Sequence, residues 1–148
     1  MHPKSIVLTG CLFLSLVICG CSTAMQEFSK LSNGTRVTAN SADNIKWPED
    51  FPVPQYTASR ATVATDTDVE GTRIRSALQV TKDGPQDCCK FYADWFEKNG
   101  WTVKTPSMDV GVGWTTAAEK GNDTITVTAL QPKGSPETTL TVNISTKK

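Results

Sequence analysis

The sequence predicts an α+β domain: an antiparallel sheet of about six strands, in the order ββαββββ, with one amphipathic helix packed on one face. Three observations predict it. Four short stretches alternate polar and apolar residues with period two and two more are strand candidates, the alternation being the pattern of a strand wet on one face and buried on the other. One stretch between the second and third of these repeats its apolar residues at spacings of three and four, which is helical. Turn residues separate the stretches, so consecutive strands can pair antiparallel while a single helix covers one side.

The domain starts near Ile45 with IKWPEDFPVPQY, where Pro48, Pro52 and Pro54 fall within seven residues. Proline is excluded from helix interiors and disfavoured in central strands, so this backbone is extended. Trp47, Phe51, Val53 and Tyr56 are spaced to lay apolar groups over a core, and the segment lacks the PxxP spacing and basic flanks of a partner-binding ligand. Ala61, Val63 and Thr65 then alternate with Thr62, Ala64 and Asp66. Ile74, Leu78 and Val80 alternate with Arg73, Arg75 and Gln79, and the polar run Asp68 to Gly71 joins the two stretches as a hairpin.

Pro85 suits a first helical position, where its missing N–H is not needed. From there Cys88, Phe91, Tyr92, Trp95 and Phe96 form one stripe, with Lys90, Asp94, Glu97 and Lys98 opposite. Gly100 after Asn99 supplies a left-handed terminus, so the helix is expected over 85–99. Strands follow at Trp101–Thr105, Val112–Glu119, Thr124–Gln131 and Thr138–Ser145, with Gly121-Asn122-Asp123 and Pro132–Pro136 as turns.

Upstream of the domain, His2 and Lys4 precede an apolar run from Ile6 to Ile18. Its 13 residues match the core of an export signal and are too few to span a bilayer. Ile18-Cys19-Gly20-Cys21-Ser22 resembles the bacterial lipobox, with an aliphatic residue at −3, a small residue at −1 and then the cysteine that takes a diacylglycerol. Cys19 at −2 is unusual for that motif, but choosing Cys19 itself would put bulky Ile18 at the small position, so Cys21 is the better candidate. The resemblance implies a signal peptide over 1–20, cleavage between Gly20 and Cys21, and an acylated (palmitate-type) Cys21. Multiple acyl chains make such an anchor effectively permanent. Ser22, in place of Asp, resembles the signal for sorting to the outer membrane, facing the periplasm.

Loss of 1–20 leaves 128 residues, enough for one modest domain and a tail. Residues 22–44 are rich in Ser, Thr, Asn and Ala and read as a flexible tether; the lipidated tether is 21–44 and the domain 45–148. A coil of that length spans roughly 25 Å root-mean-square. Within it, Ala24 to Leu31 is a candidate for a short helix that is too brief to be stable alone. The mature chain carries 14 basic and 15 acidic residues, interspersed, which argues against nucleic acid as a partner.

The chemistry is narrowed chiefly by histidine. His2 is the sole histidine and departs with the signal, so Ser-His-Asp and Cys-His arrangements are excluded and the commonest transition-metal ligand is gone. The carboxylate pairs Glu49/Asp50, Asp66/Asp68 and Asp94/Glu97 fall in turns or on a wet helix face, where they read as solvated charge rather than as a glycosidase pair. Cys88 and Cys89 are the remaining thiols. Adjacent helical side chains diverge by about 100°, which suits neither a disulfide nor a shared metal. Cys88 reads as a small core residue and Cys89 as bordering it, with a link between two copies through Cys89 as the sharper alternative. No metal or cofactor is expected. If the last two strands pair, Thr124, Thr126 and Thr128 face Thr139, Thr141, Asn143 and Ser145. Such a row is either the ordinary wet side of a sheet or a flat partner surface.

WPEDFPVPQY, a hairpin, KFYADWFEKNGW and a β-meander together resemble a recurring type of small bacterial lipoprotein, in which a D-F-P…P-x-Y lead-in precedes an F-Y helix ending in G-W. The likeness runs from Trp47 to Val103 and more loosely through the later strands. It implies an envelope location and this fold, and carries over no catalytic residue. A looser similarity, of fold alone, is to accessory lipoproteins of outer-membrane assembly machinery. The expectation is therefore a non-catalytic binding or envelope-assembly domain, held to a membrane by acyl chains and facing an envelope protein partner. The alternatives are a small envelope enzyme using carboxylates or Cys89, and a self-associating structural lipoprotein.

Overall fold

The computed structural model of the chain describes residues 26–28, 36–39 and 45–148. The expected signal peptide, Gly20 and Cys21 lie outside them. In chain order the elements are β1 (Gln26–Phe28), β2 (Arg36–Ala39), β3 (Ser59–Val69), β4 (Thr72–Thr81), α1 (Pro85–Lys98), β5 (Thr102–Asp109), β6 (Trp114–Lys120), β7 (Asp123–Leu130) and β8 (Thr138–Lys147). β3 to β8 with α1 are the ββαββββ arrangement that periodicity predicts, and the fold class is α+β. β1 and β2 come from the stretch read as a tether, and Gln26–Phe28 falls where a short helix was a candidate. That stretch pairs instead: β2 hydrogen-bonds to β3 and β1 to β2, which satisfies backbone groups that a lone helical turn leaves marginal.

All neighbours are antiparallel, in the order β1-β2-β3-β4-β8-β7-β6-β5. Sequence neighbours pair until β4. There α1 carries the chain to the far edge, and the β5–β8 meander returns until β8 closes against β4. The β3–β4 hairpin turns on Glu70 and Gly71, with φ of 46° and 80°, the left-handed pair that a two-residue primed turn requires. The turn pairs Val69 with Thr72 and thereby sets Asp66 opposite Arg75.

Two strands depart from simple alternation. In β3 a bulge at Thr62 lets Ala61 pair with Gln79 and Val63 with Leu78. The buried residues are consequently Ala61 and Ala64, three apart rather than two. In β4 the polar set is the covered one: Arg75, Gln79 and Thr81 are buried beside Ala77, whereas Ile74 is 41% exposed. Alternation creates two faces without saying which is covered. Ala77 lies opposite Ala64 and Val142, both buried, and this cross-strand partnership fixes the inner face.

α1 packs on the inner face over β5, β6 and β7. Its buried residues are Cys88, Cys89, Tyr92 and Phe96, so the stripe is turned by about one position from that expected, and Phe91 and Trp95 are half-buried at its border. Tyr56 of the preceding segment occupies that border and meets the Phe91 ring edge-on at 5.1 Å. The helix ends in a complete Schellman motif. Trp101 N–H donates to Phe96 O at 2.9 Å and Gly100 N–H to Glu97 O at 3.4 Å, with Gly100 at φ 73°. The motif's hydrophobic contact is the Phe96–Trp101 ring pair, 5.9 Å apart. Beneath the helix lie Ile125, Val127, Leu140, Val142 and Ile144, all fully buried.

Candidate ligand-binding groove

The proline-rich segment 45–56 covers the part of the inner face that the helix leaves bare. Ile45 N–H donates to Ala61 O at 2.8 Å, pinning the start of the strap to β3. Trp47 Nε1 donates to Val53 O at 3.0 Å and meets Phe51 edge-on at 5.0 Å, closing 47–53 into a loop on itself. Val53 and Tyr56 are buried, as their spacing predicts. The far end of the strap is held through Gln79. Its Oε1 accepts from Tyr56 N–H at 2.8 Å and from Ser59 Oγ at 2.6 Å, and its Nε2 donates to Tyr92 Oη at 2.9 Å. Tyr92 Oη donates in turn to Pro54 O at 3.1 Å. The buried glutamine thus has partners at both its amide oxygen and its amide nitrogen, and it ties strap, sheet and helix together.

Between strap and hairpin lies a groove of about 210 Å³, lined by Pro48, Asp50, Phe51, Ala64, Thr65, Asp66, Arg73 and Arg75. Arg73 and Arg75 share the inner face because they stand two apart on β4. Arg73 grips Asp66 through two bonds, Nε to Oδ1 at 2.9 Å and Nη2 to Oδ2 at 2.6 Å, and reaches Asp50 Oδ2 at 2.7 Å. The Asp66 hydrogen bond is the largest influence that pushes the Arg73 guanidinium above its ordinary pKa. Arg75 is only 7% exposed. Its Nη1 donates to Asp50 O, its Nη2 to Thr146 Oγ1 at 3.3 Å, and its guanidinium carbon sits 5.9 Å from the centre of the Phe51 ring. Its Nε is buried with no hydrogen-bond partner among the described residues.

The arginines carried no weight in the sequence reading, and two carboxylates read as solvated charge, Asp50 and Asp66, belong to this ion-pair network. Glu49 and Asp94 do face solvent, paired with Lys46 and Lys90, and Asp68 pairs with Lys148. The signal lay in the hairpin. Counting back from a two-residue turn at 70–71 pairs Asp66 with Arg75, and period two puts Arg73 beside it. Taking 68–71 as the turn hides that register.

The threonine rows assemble as expected. β7 and β8 pair Thr124 with Ser145, Thr126 with Asn143, Thr128 with Thr141 and Leu130 with Thr139. The row continues across β4, where Ser76 Oγ donates to Asn143 Oδ1 at 2.7 Å. This is the outer face, opposite the helix and away from the groove.

Cys89 is a correction: it is fully buried, not at the border. Burial pushes its thiol up to about 12 and that of Cys88 up to about 11. A thiol held protonated out of solvent is neither a nucleophile nor a crosslinking handle, so the enzyme alternative loses Cys89 and the link between copies through it has no surface to act from. Among the described residues no group of three His, Cys, Asp or Glu side chains could hold a metal, and no helix is long and apolar enough to cross a membrane.

No curated protein and no solved structure matches the chain. A family model described as START domain-like matches residues 59–146. The match begins at the first residue of β3 and ends within β8, taking in the hairpin, the helix and the whole meander. By that match over more than half its length, the chain belongs to the START domain-like family.

Proposed function

We propose that this protein is a lipid-anchored bacterial envelope protein whose domain binds a ligand in the strap-covered groove without transforming it. The observation that carries the binding reading is the buried Arg75 beside Arg73 at a concavity, under a strap that is not part of the sheet. A buried guanidinium is costly unless well partnered, and grooves with a few convergent polar groups are where ligands bind. START-like folds bind ligands, which supports the same reading. The want of histidine after signal removal, together with the buried thiols, supports a domain that does no chemistry. Native mass spectrometry of the full chain, purified from membranes in detergent, tests the binding reading. A small molecule retained by the wild type and lost from Arg75→Gln is expected; identical, unliganded spectra from both would overturn it.

The anchor rests on the lipobox resemblance at Ile18 to Ser22. Cys21→Ser should lose incorporation of labelled palmitate and accumulate as uncleaved precursor. Cleaved, membrane-bound protein from that variant would overturn the anchor, and with it the outer-membrane placement read from Ser22.

A second reading, docking of an envelope protein on the outer face, is favoured by one observation. The rows through Thr126, Asn143 and Ser76 form a continuous hydroxyl and amide surface that no described element covers. Thr126→Arg with Thr141→Arg should abolish recovery of a stoichiometric partner while leaving groove binding intact. Recovery of self alone would favour the self-associating alternative.

A further inference from the structure

We propose that the groove is a seat for a single oxyanion, the carboxylate or phosphate group of a small ligand, and that Asp50 on the strap holds the seat until the ligand displaces it. This rests on the binding reading above and names the chemistry of the same site.

The inference begins with unequal counter-charges. Asp66 faces Arg73 with both oxygens engaged. Arg75, more deeply buried, has no such fork. Among the described residues its carboxylate within ion-pair range is Asp50, with Oδ2 at 3.7 Å from Nη1, and that same oxygen lies 2.7 Å from Arg73. One strap carboxylate therefore serves two arginines, closer to the less buried one. Among the described residues Arg75 is left with a backbone carbonyl, a long bond to Thr146 and an Nε–H without a partner. A guanidinium is built to hold an oxyanion through two parallel N–H bonds. Here the second bond is missing, since Nε is closed off without a partner among the described residues, and the residue itself lines the groove.

Asp50 has the properties of a displaceable occupant. Its side chain is 55% exposed, and it sits at the tip of the loop that Trp47 and Val53 close, within the turn where Phe51 N–H donates to Pro48 O at 3.2 Å. That loop can lift as a unit without breaking a rung of the sheet. Lifting it costs the ion pairs of Asp50 to Arg73 and Arg75, the carbonyl bond to Arg75, the Phe51–Arg75 ring contact and the packing of Trp47, Phe51 and Val53 on the apolar clusters, and it exposes the two guanidiniums with Asp66 as their carboxylate neighbour among the described residues. A volume of about 210 Å³ fits a head group and a few attached atoms, smaller than the usual pocket for a whole drug-sized ligand.

The test uses the full chain in detergent, labelled with nitrogen-15, and follows the Nε–H signals of Arg73 and Arg75 during titration with inorganic phosphate and, separately, with acetate. Saturable shifts of the Arg75 signal are expected with at least one probe, and which of the two binds more tightly distinguishes a phosphate source from a carboxylate source. Asp50→Asn removes the competing charge and should bind about two- to fivefold more tightly, the factor that one displaced half-exposed contact represents. Arg75→Lys keeps the charge but not the fork and should abolish saturation. Linear, unsaturated shifts in both wild type and Asp50→Asn would overturn the oxyanion seat. An Asp50→Asn variant that binds no more tightly than wild type would overturn the role of Asp50. If the titration fails while mass spectrometry still finds an Arg75-dependent ligand, the oxyanion seat is overturned and the broader binding reading survives.

Discussion

The inner face of the sheet is covered twice, by a helix over β5 to β8 and by a proline strap over β3 and β4, and the two halves are built on opposite rules. Under the helix the sheet presents Ile125, Val127, Leu140, Val142 and Ile144 to Tyr92 and Phe96, with no buried charge. Under the strap it presents alanines, Ala61, Ala64 and Ala77, and between them the long polar chains of Gln79, Arg75 and Arg73. Small residues on a strand leave room above them. In the helix half that room is filled by large apolar side chains packed to interior density. In the strap half it is filled partly by Trp47 and Phe51 and otherwise left as the groove. One half provides stability and the other a concavity, and Gln79 joins the two.

The sharpest way to break this comparison is to truncate the same residue type in each half. Phe96→Ala should destabilise the domain by about 3 to 5 kcal/mol, because the ring is fully buried among groups that relax only partly. Phe51→Ala should cost well under half as much, since Phe51 is only half-buried beside a space already open. Urea midpoints of the two variants decide the matter; equal losses would mean that the strap half is as tightly packed as the helix half. Trp95→Ala falls between them, because that residue borders the buried face rather than lying on it.

At the junction, Gln79→Met keeps the volume and removes the hydrogen bonds. Tyr56 N–H then lies buried without its acceptor and Tyr92 Oη without a donor. The expected cost is about 1 to 3 kcal/mol, with faster hydrogen exchange at the Tyr56 amide. A variant as stable as wild type would show that the strap is held by its apolar groups alone.

Most of the fold was legible in the sequence because its signals are local. Pro85 and Gly100 mark the helix ends, alternation marks the strands, and the proline spacing marks the strap. The groove was not legible, because it depends on two non-local facts. Polar residues on β4 face inward only because β8 and β3 set Ala77 against Val142 and Ala64, and Asp50 meets Arg73 only because the strap folds back over a hairpin more than twenty residues later. The helix stripe shows the same limit. Its phase is set by contacts from outside the helix: Tyr56 meets Phe91 at the border, and Cys89 lies on the buried side.

The smallest effect concerns titration, and it tells the halves apart without altering packing much. Cys88 and Cys89 both belong to the helix half, with thiols pushed up to about 11 and about 12 by burial. A thiol whose folded pKa is raised favours the native state while both states hold the proton, and that advantage is lost as pH rises past the unfolded value, near 8.5. Stability should therefore hold to about pH 8 and decline from about pH 9 upward. Cys89→Ala should flatten that decline by about 2 kcal/mol between pH 8 and pH 10, as two thiol protons are released on unfolding in wild type and one, from Cys88, in the variant. The strap half carries guanidiniums, which do not titrate in this range, and the Tyr56 phenol, which burial pushes up; neither is set by Asp50, so Asp50→Asn should leave the alkaline slope unchanged while shifting stability at neutral pH by under about 1 kcal/mol, as for any half-exposed pair. Urea midpoints at the two pH values measure both variants. An alkaline slope that follows Asp50→Asn instead of Cys89→Ala would mean that the strap, and not the buried thiols, dominates the alkaline titration.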